Sequence, residues 1–300
     1  MDPNPILRKL GFADRDRVAI VHVDDVGMCQ ATLPAFTDLL DFGLVSCGSV
    51  MVPCPWFPLV GQTCRQRPGI DLGVHLTLTS EWDVYRWGPL STRDPASGLI
   101  DEEGYFPRRS EDVQRRGEPE AARLELQAQV AHALDAGIDV THVDTHMGSV
   151  VHPKFMLTYV QLALQHGLPL MMLRLDEAGW RRVGAERGIA MDSHMVAGAA
   201  QMVQQLEAQG VPLLDDIATL PLDQPAERVE QAKRVFDSLP SGITHFFIHP
   251  ALDTPELRTI TSDWESRLAD YQAFSSPELR DYVTDSGVQV IGYRDLLELM

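Results

Sequence analysis

The stretch VAIVHVDDVG (residues 18–27) carries five apolar residues and a histidine into two adjacent carboxylates, Asp24 and Asp25, and a closing glycine. A short apolar run with this punctuation predicts a strand covered on both faces, as at the centre of a parallel sheet. A carboxylate pair at its end is no packing choice, since like charges repel and each costs desolvation. The pair reads either as a turn or helix cap past Gly27, or as groups that manage a metal or a proton.

Working outward, residues 31–42 place Leu33, Phe36, Leu39 and Leu40 at helical spacing before Gly43, and residues 46–52 and 70–78 read as strands around a helix at 56–67. Helices are expected at 119–136, 154–166, 199–209, 226–239, 264–274 and 277–284, with strands at 139–144, 170–173, 211–214, 243–248 and 288–291 and a last helix at the C-terminus. This alternation predicts an α/β fold, a (β/α) barrel, regular or distorted, with seven or eight parallel strands; a doubly wound open sheet is the alternative. One domain over residues 1–300 is expected, with a long functional loop at 79–118 rich in Pro, Gly, Ser and charge. Trp82, Tyr85 and Trp87 in that loop suit stacking against a sugar, or a local loop core.

A net charge of −18 excludes the basic stripe that a nucleic-acid backbone or an anionic membrane would need. No apolar stretch reaches the roughly 18 residues of a membrane span, and residues 1–12 lack the apolar core of a signal peptide, so a soluble cytoplasmic protein is expected. Cys29, Cys47, Cys54 and Cys64 have neither CxxC spacing nor disulfide density, and read as small buried hydrophobes, with Cys29 close to the Asp pair.

Asp24, Asp25, His75, His146 and His249 all fall at the carboxyl ends of separate expected strands, where parallel α/β folds build their sites. Two imidazoles and a carboxylate are a catalytic metal set, and a second carboxylate beside them can act as base. His22, His142 and His245 lie within strands and read as structural or supporting. His132, His166 and His194 fall on helices or loops and receive no role.

HVDDVG (22–27), GLVSCGSVMV (43–52), LGVHLTLT (72–79), THVDTH (141–146) and FIHP (247–250) together resemble the YdjC-like carbohydrate deacetylases, as do the closing stretches from Trp264 and Ile291. The resemblance implies a barrel-like deacetylase fold, a divalent metal on Asp25, His75 and His146, Asp24 as general base and His249 as general acid. It implies a small-molecule carbohydrate substrate that loses an N-acetyl group, and a homodimer, although no stretch marks an interface. Where the family commonly continues with further histidines, this chain reads Met147-Gly148-Ser149-Val150-Val151-His152.

Two nitrogen ligands and one oxygen favour zinc, with magnesium or another divalent cation as the alternative. Rival readings are hydrolysis of another amide or an ester, including a phosphoester for which Arg174 is the main cationic candidate, and a sugar-binding protein without catalysis.

Overall fold

The computed structural model describes residues 2–186 and 191–300. A short helix α1 (Pro5–Lys9) precedes β1 (Arg17–Val26), whose residues after Arg17 are all buried. Continuous burial explains the continuous apolar run: both faces of this strand are covered, so neither alternates with polar residues. Along one edge β1 pairs in parallel with β6 (Gly242–Ile248). Along the other it pairs with β7 (Gln289–Ile291) through Val18–Ile20 and with β2 (Cys47–Val50) through its carboxyl half.

From β2 the parallel order runs through β3 (Leu72–Leu76) to β4 (Val140–Thr145), while β5 (Asp216–Thr219) lies beyond β6. Between β4 and β6 the ring is completed by single parallel bridges, Val143 to Leu170 and Leu173 to Leu214, and by the Asp215 N–H donating to the Ile243 carbonyl at 2.8 Å. The result is a distorted barrel of parallel strands. Residues 170–173 and 211–214, expected as strands, contribute only these bridges, and β5 falls where no strand was expected.

Helices fill the crossovers: α2 (Thr32–Phe42), α3 (Phe57–Gln66), α4 (Ser110–Arg116), α5 (Pro119–Asp135), α6 (Pro153–His166), α7 (Glu177–Glu186), α8 (Ser193–Ala208) and α9 (Arg228–Ser238). After β6 come α10 (Pro255–Ile260), α11 (Trp264–Phe274) and α12 (Pro277–Asp285), and α13 (Tyr293–Leu297) follows β7. Gly43 and Gly167 close α2 and α6 in the left-handed conformation, as a helix stop requires. The long loop holds α4 and a 3-10 turn rather than being wholly irregular. None of the described helices is long and apolar enough to cross a membrane.

Because every strand runs the same way, their carboxyl ends share one rim. A break in regularity at the end of β1 shapes that rim. Its register against β2 slips between Val23 and Val26, and Asp25 sits at φ 62, a left-handed value rare for a residue with a side chain. In a regular strand Asp24 and Asp25 would face opposite ways. With the bulge, both line the same cavity.

Candidate metal centre and catalytic site

Asp25, His75 and His146 meet at the rim with one ligand atom each lying within 4.8 Å of the others. His146 Nδ1 is 3.2 Å and His75 Nε2 3.5 Å from the same atom, Asp25 Oδ1. That oxygen is buried and has no hydrogen-bond partner among the described residues, whereas Oδ2 accepts from the Arg267 guanidinium at 2.8 Å. A buried carboxylate oxygen left bare between two imidazole nitrogens is costly, and a divalent cation would satisfy it. The residues fit the metal.

The outer partners support this assignment. Asp144, directly across from His75 in the β3–β4 register, lies 2.9 Å from His75 Nδ1, and the Ser49 hydroxyl donates to its other oxygen at 2.8 Å. A carboxylate at Nδ1 fixes the tautomer and leaves Nε2 its lone pair, as in carboxylate–histidine–metal triads. On His146 the nitrogens are exchanged: Nε2 lies 3.1 Å from both Glu81 oxygens and Nδ1 faces Asp25.

Charge follows the same pattern. Burial alone would raise the Asp25 carboxyl, but Arg267 and His146 hold it well below the usual carboxylate range. Burial alone would lower His146, but Glu81 and Asp25 push it up to about 10. Without a cation this cluster therefore gathers a proton; a cation would replace it. Asp144→Asn is expected to weaken zinc affinity about ten- to a hundredfold, checked by competition with a chromogenic chelator.

Asp24 stands beside the set. Its Oδ1 is 2.8 Å from His22 Nδ1, and its Oδ2 lies 3.8 Å from His75 Nε2 and 3.9 Å from His249 Nε2. His249 is anchored through its main-chain N–H, which donates to Asp270 at 3.0 Å, while its ring Nδ1 is buried without a partner among the described residues. Burial, against the pull of Asp25 and Asp24, holds its imidazole below the ordinary value.

The family described as YdjC-like protein matches residues 18–285. The chain belongs to the YdjC-like family. A carbohydrate deacetylase of Thermus thermophilus is 34% identical over 276 residues, 92% of either chain. Another, from Thermoanaerobacter pseudethanolicus, is 22% identical and covers 91% of this chain and 97% of its own. The crystal structure of a proposed cellobiose-phosphate cleavage protein from Enterococcus faecalis superposes with a TM-score of 0.75 at 21% identity, over 94% of this chain and 99% of that one. The shared element is the fold.

Within this YdjC-like chain, the in-strand histidines build a polar seam behind the site. His22 Nε2 meets His142 Nε2 at 2.9 Å, and His142 stacks on Tyr293 at 3.8 Å between ring centroids. The Tyr293 hydroxyl in turn lies 3.1 Å from His245 Nδ1. Gly73 makes room, because a Cβ there would lie 2.5 Å from the His142 ring.

His22, Asp24, Asp144 and His245 form a second group with metal-competent spacing. Both His22 nitrogens and both Asp144 oxygens are already engaged, so this group fits a cation less well.

Burial, reinforced by neighbouring His22, lowers His142 well below its ordinary value and His245 to about 3. Groups held neutral in the fold but protonated when unfolded destabilise as pH falls below about 6.5. Raised groups such as His75 and His146 act in the opposite window, losing their contribution as pH rises above about 6.5. Chelator-treated protein should therefore lose stability between neutral pH and about pH 5, with His245 contributing on the order of 2 kcal/mol. Urea unfolding at the two pH values checks this, and equal midpoints would contradict it.

Of the aromatic loop, Trp82 lines the cavity. Trp87 and Tyr85 do not: the Trp87 indole donates to the Thr79 carbonyl at 2.8 Å and the Tyr85 hydroxyl to that of Met28 at 2.8 Å. They pack with Trp82 as a loop core. Arg174 also lies off the cavity wall, held by Glu207 and by Asp215 at 2.9 Å. Cys29 is buried, and that burial pushes its thiol up to about 11.

Glu81, Asp144, Arg267 and Asp270 are the groups that the sequence reading passed over. Asp144 had a signal: it sits in THVDTH two residues after His142, on the same strand face. Arg267 lies in the closing stretch from Trp264 that shares the resemblance, but no local pattern marks its aim at Asp25, 242 residues away.

Proposed function

We propose that this protein is a metal-dependent deacetylase that removes an acetyl group from an N-acetylated sugar or oligosaccharide. The observation that carries the reading is the bare Asp25 Oδ1 between His75 Nε2 and His146 Nδ1, with Asp24 alongside but outside that set. The relatives from Thermus and Thermoanaerobacter, both named carbohydrate deacetylase, support an acetylated carbohydrate as substrate.

A divalent cation, zinc by the donor set, supplies Lewis acidity for a carbonyl and lowers the pKa of a water. The chain supplies the rest. Asp24, oriented through Oδ1 by His22, turns Oδ2 toward the metal set and takes the proton of the attacking water. His249, on the other side of Asp24, passes to the nitrogen the proton that Asp24 took from the water as the C–N bond breaks, so acetate and an amine leave.

Arg267 is the one guanidinium lining the cavity among the described residues, and Asp25 and Asp263 already hold it. Among the described residues no free cation awaits a phosphate, which disfavours the phosphoester reading. Pure binding gives no purpose to Asp24 beside a metal. The test is acetate release from N-acetylated mono- and oligosaccharides before and after chelation and metal restoration. Release that chelation abolishes and metal restores is expected; none from any sugar by metal-loaded protein contradicts the proposal.

A further inference from the structure

The cavity that begins at the metal set has a volume of about 810 Å³, and most of its wall is unlike a sugar site. Seven of the chain's 11 methionines line it. Met156, Met171 and Met172 contribute from α6 and the segment after it, and Met191, Met195 and Met202 from α8 and its approach. Met147 stands at the exposed mouth. Sugars are held by dense polar contacts, yet beyond the metal set and the Asp24, Glu81, Thr145, His249, Asp263 and Arg267 side chains that line the cavity with it, the described residues of the wall offer little that is polar except Thr219 and Trp180.

Interiors are close-packed, and voids much larger than a water are few. An apolar space of this size suits a ligand, and flexible polarisable methionines suit a chain without fixed shape. The space is continuous with the reacting end, because Asp24, Asp25, His75, His146 and His249 line the same cavity. Whatever fills it is therefore within reach of the amide being cleaved.

We infer that the substrate carries an extended apolar chain covalently joined to the sugar amide, and that the methionine-lined part of the cavity binds that chain. This rests on the amide-hydrolase reading of the site. The chain has two chemical sources, a long N-acyl group or an alkyl aglycone, and each leaves the same methylene surface to bury.

N-acetylglucosamine, N-octanoylglucosamine and octyl N-acetylglucosaminide separate the cases. For metal-loaded enzyme, kcat/KM for hydrolysis of the amide is measured on each; for chelator-treated protein, affinity is measured by calorimetry. At about fourfold per buried methylene, at least one octyl compound should exceed N-acetylglucosamine by a hundredfold or more in both readouts. A gain with the octanoyl compound alone places the chain on the acyl side, and a gain with the octyl glycoside alone places it on the aglycone.

Met195→Lys and Met202→Gln should each erase most of that gain, and Met195→Leu should keep it. Equal values within about threefold across the panel, alongside metal-dependent acetate release, would overturn the inference and leave the deacetylase reading standing. Tight octyl binding with no amide hydrolysis would overturn the amide-hydrolase reading and the substrate inferred from it, leaving only a cavity that binds apolar chains.

Discussion

Asp24→Asn is expected to lower kcat by about a thousandfold, within the range that a general base contributes, while metal content stays at one per chain. The side chain keeps its shape and can still accept a hydrogen bond from His22 at the position of Oδ1, 2.8 Å away. It loses the charge that draws a proton from water. Asp24 is not among the three residues whose ligand atoms converge, so the metal set is left whole. Turnover and metal content must be measured on the same sample. A fully active variant would sink the assignment of Asp24 as base.

His75→Ala is expected to lose metal and activity together, with zinc affinity down at least a thousandfold once one of three ligands is gone. The outcome differs in kind from that of Asp24→Asn. It also strips Asp144 of its imidazole partner 2.9 Å away, leaving a buried carboxylate held by Ser49. Removing one member of such a buried pair costs about 3–5 kcal/mol, so thermal melting must accompany the metal assay. His75→Gln, which can still hydrogen-bond Asp144, is the more stable companion. Retention of one tightly bound metal in either variant would contradict the ligand assignment.

The parts of the molecule that could be read from residues alone are those where local pattern and tertiary role agree. The run before Asp24 is apolar throughout because β1 is covered on both faces, and the helix expected at 264–274 coincides with Trp264–Phe274, which is bounded by polar residues at both ends. Strand ends were read too generously: residues 70–78 shrink to Leu72–Leu76, because Thr77 turns its N–H to the Gln129 side chain instead of a strand. β5 escaped notice because its sequence, DIAT, is short and only partly buried. Among the site residues, placement at strand ends brought out Asp24, Asp25, His75, His146 and His249. Glu81 and Arg267 stayed hidden, since a loop and a distant helix deliver them with no periodicity to mark their aim. For Trp87 and Tyr85 the sequence left two readings open, sugar stacking or a loop core, because an aromatic cluster in a polar loop has one composition whether it faces a ligand or itself, and the two rings pack as the loop core.

The most direct test is anomalous diffraction from a crystal of the protein equilibrated with zinc. One strong peak among Asp25, His75 and His146 is the expected result. A peak instead among His22, Asp24, Asp144 and His245, or none at either group, would contradict it.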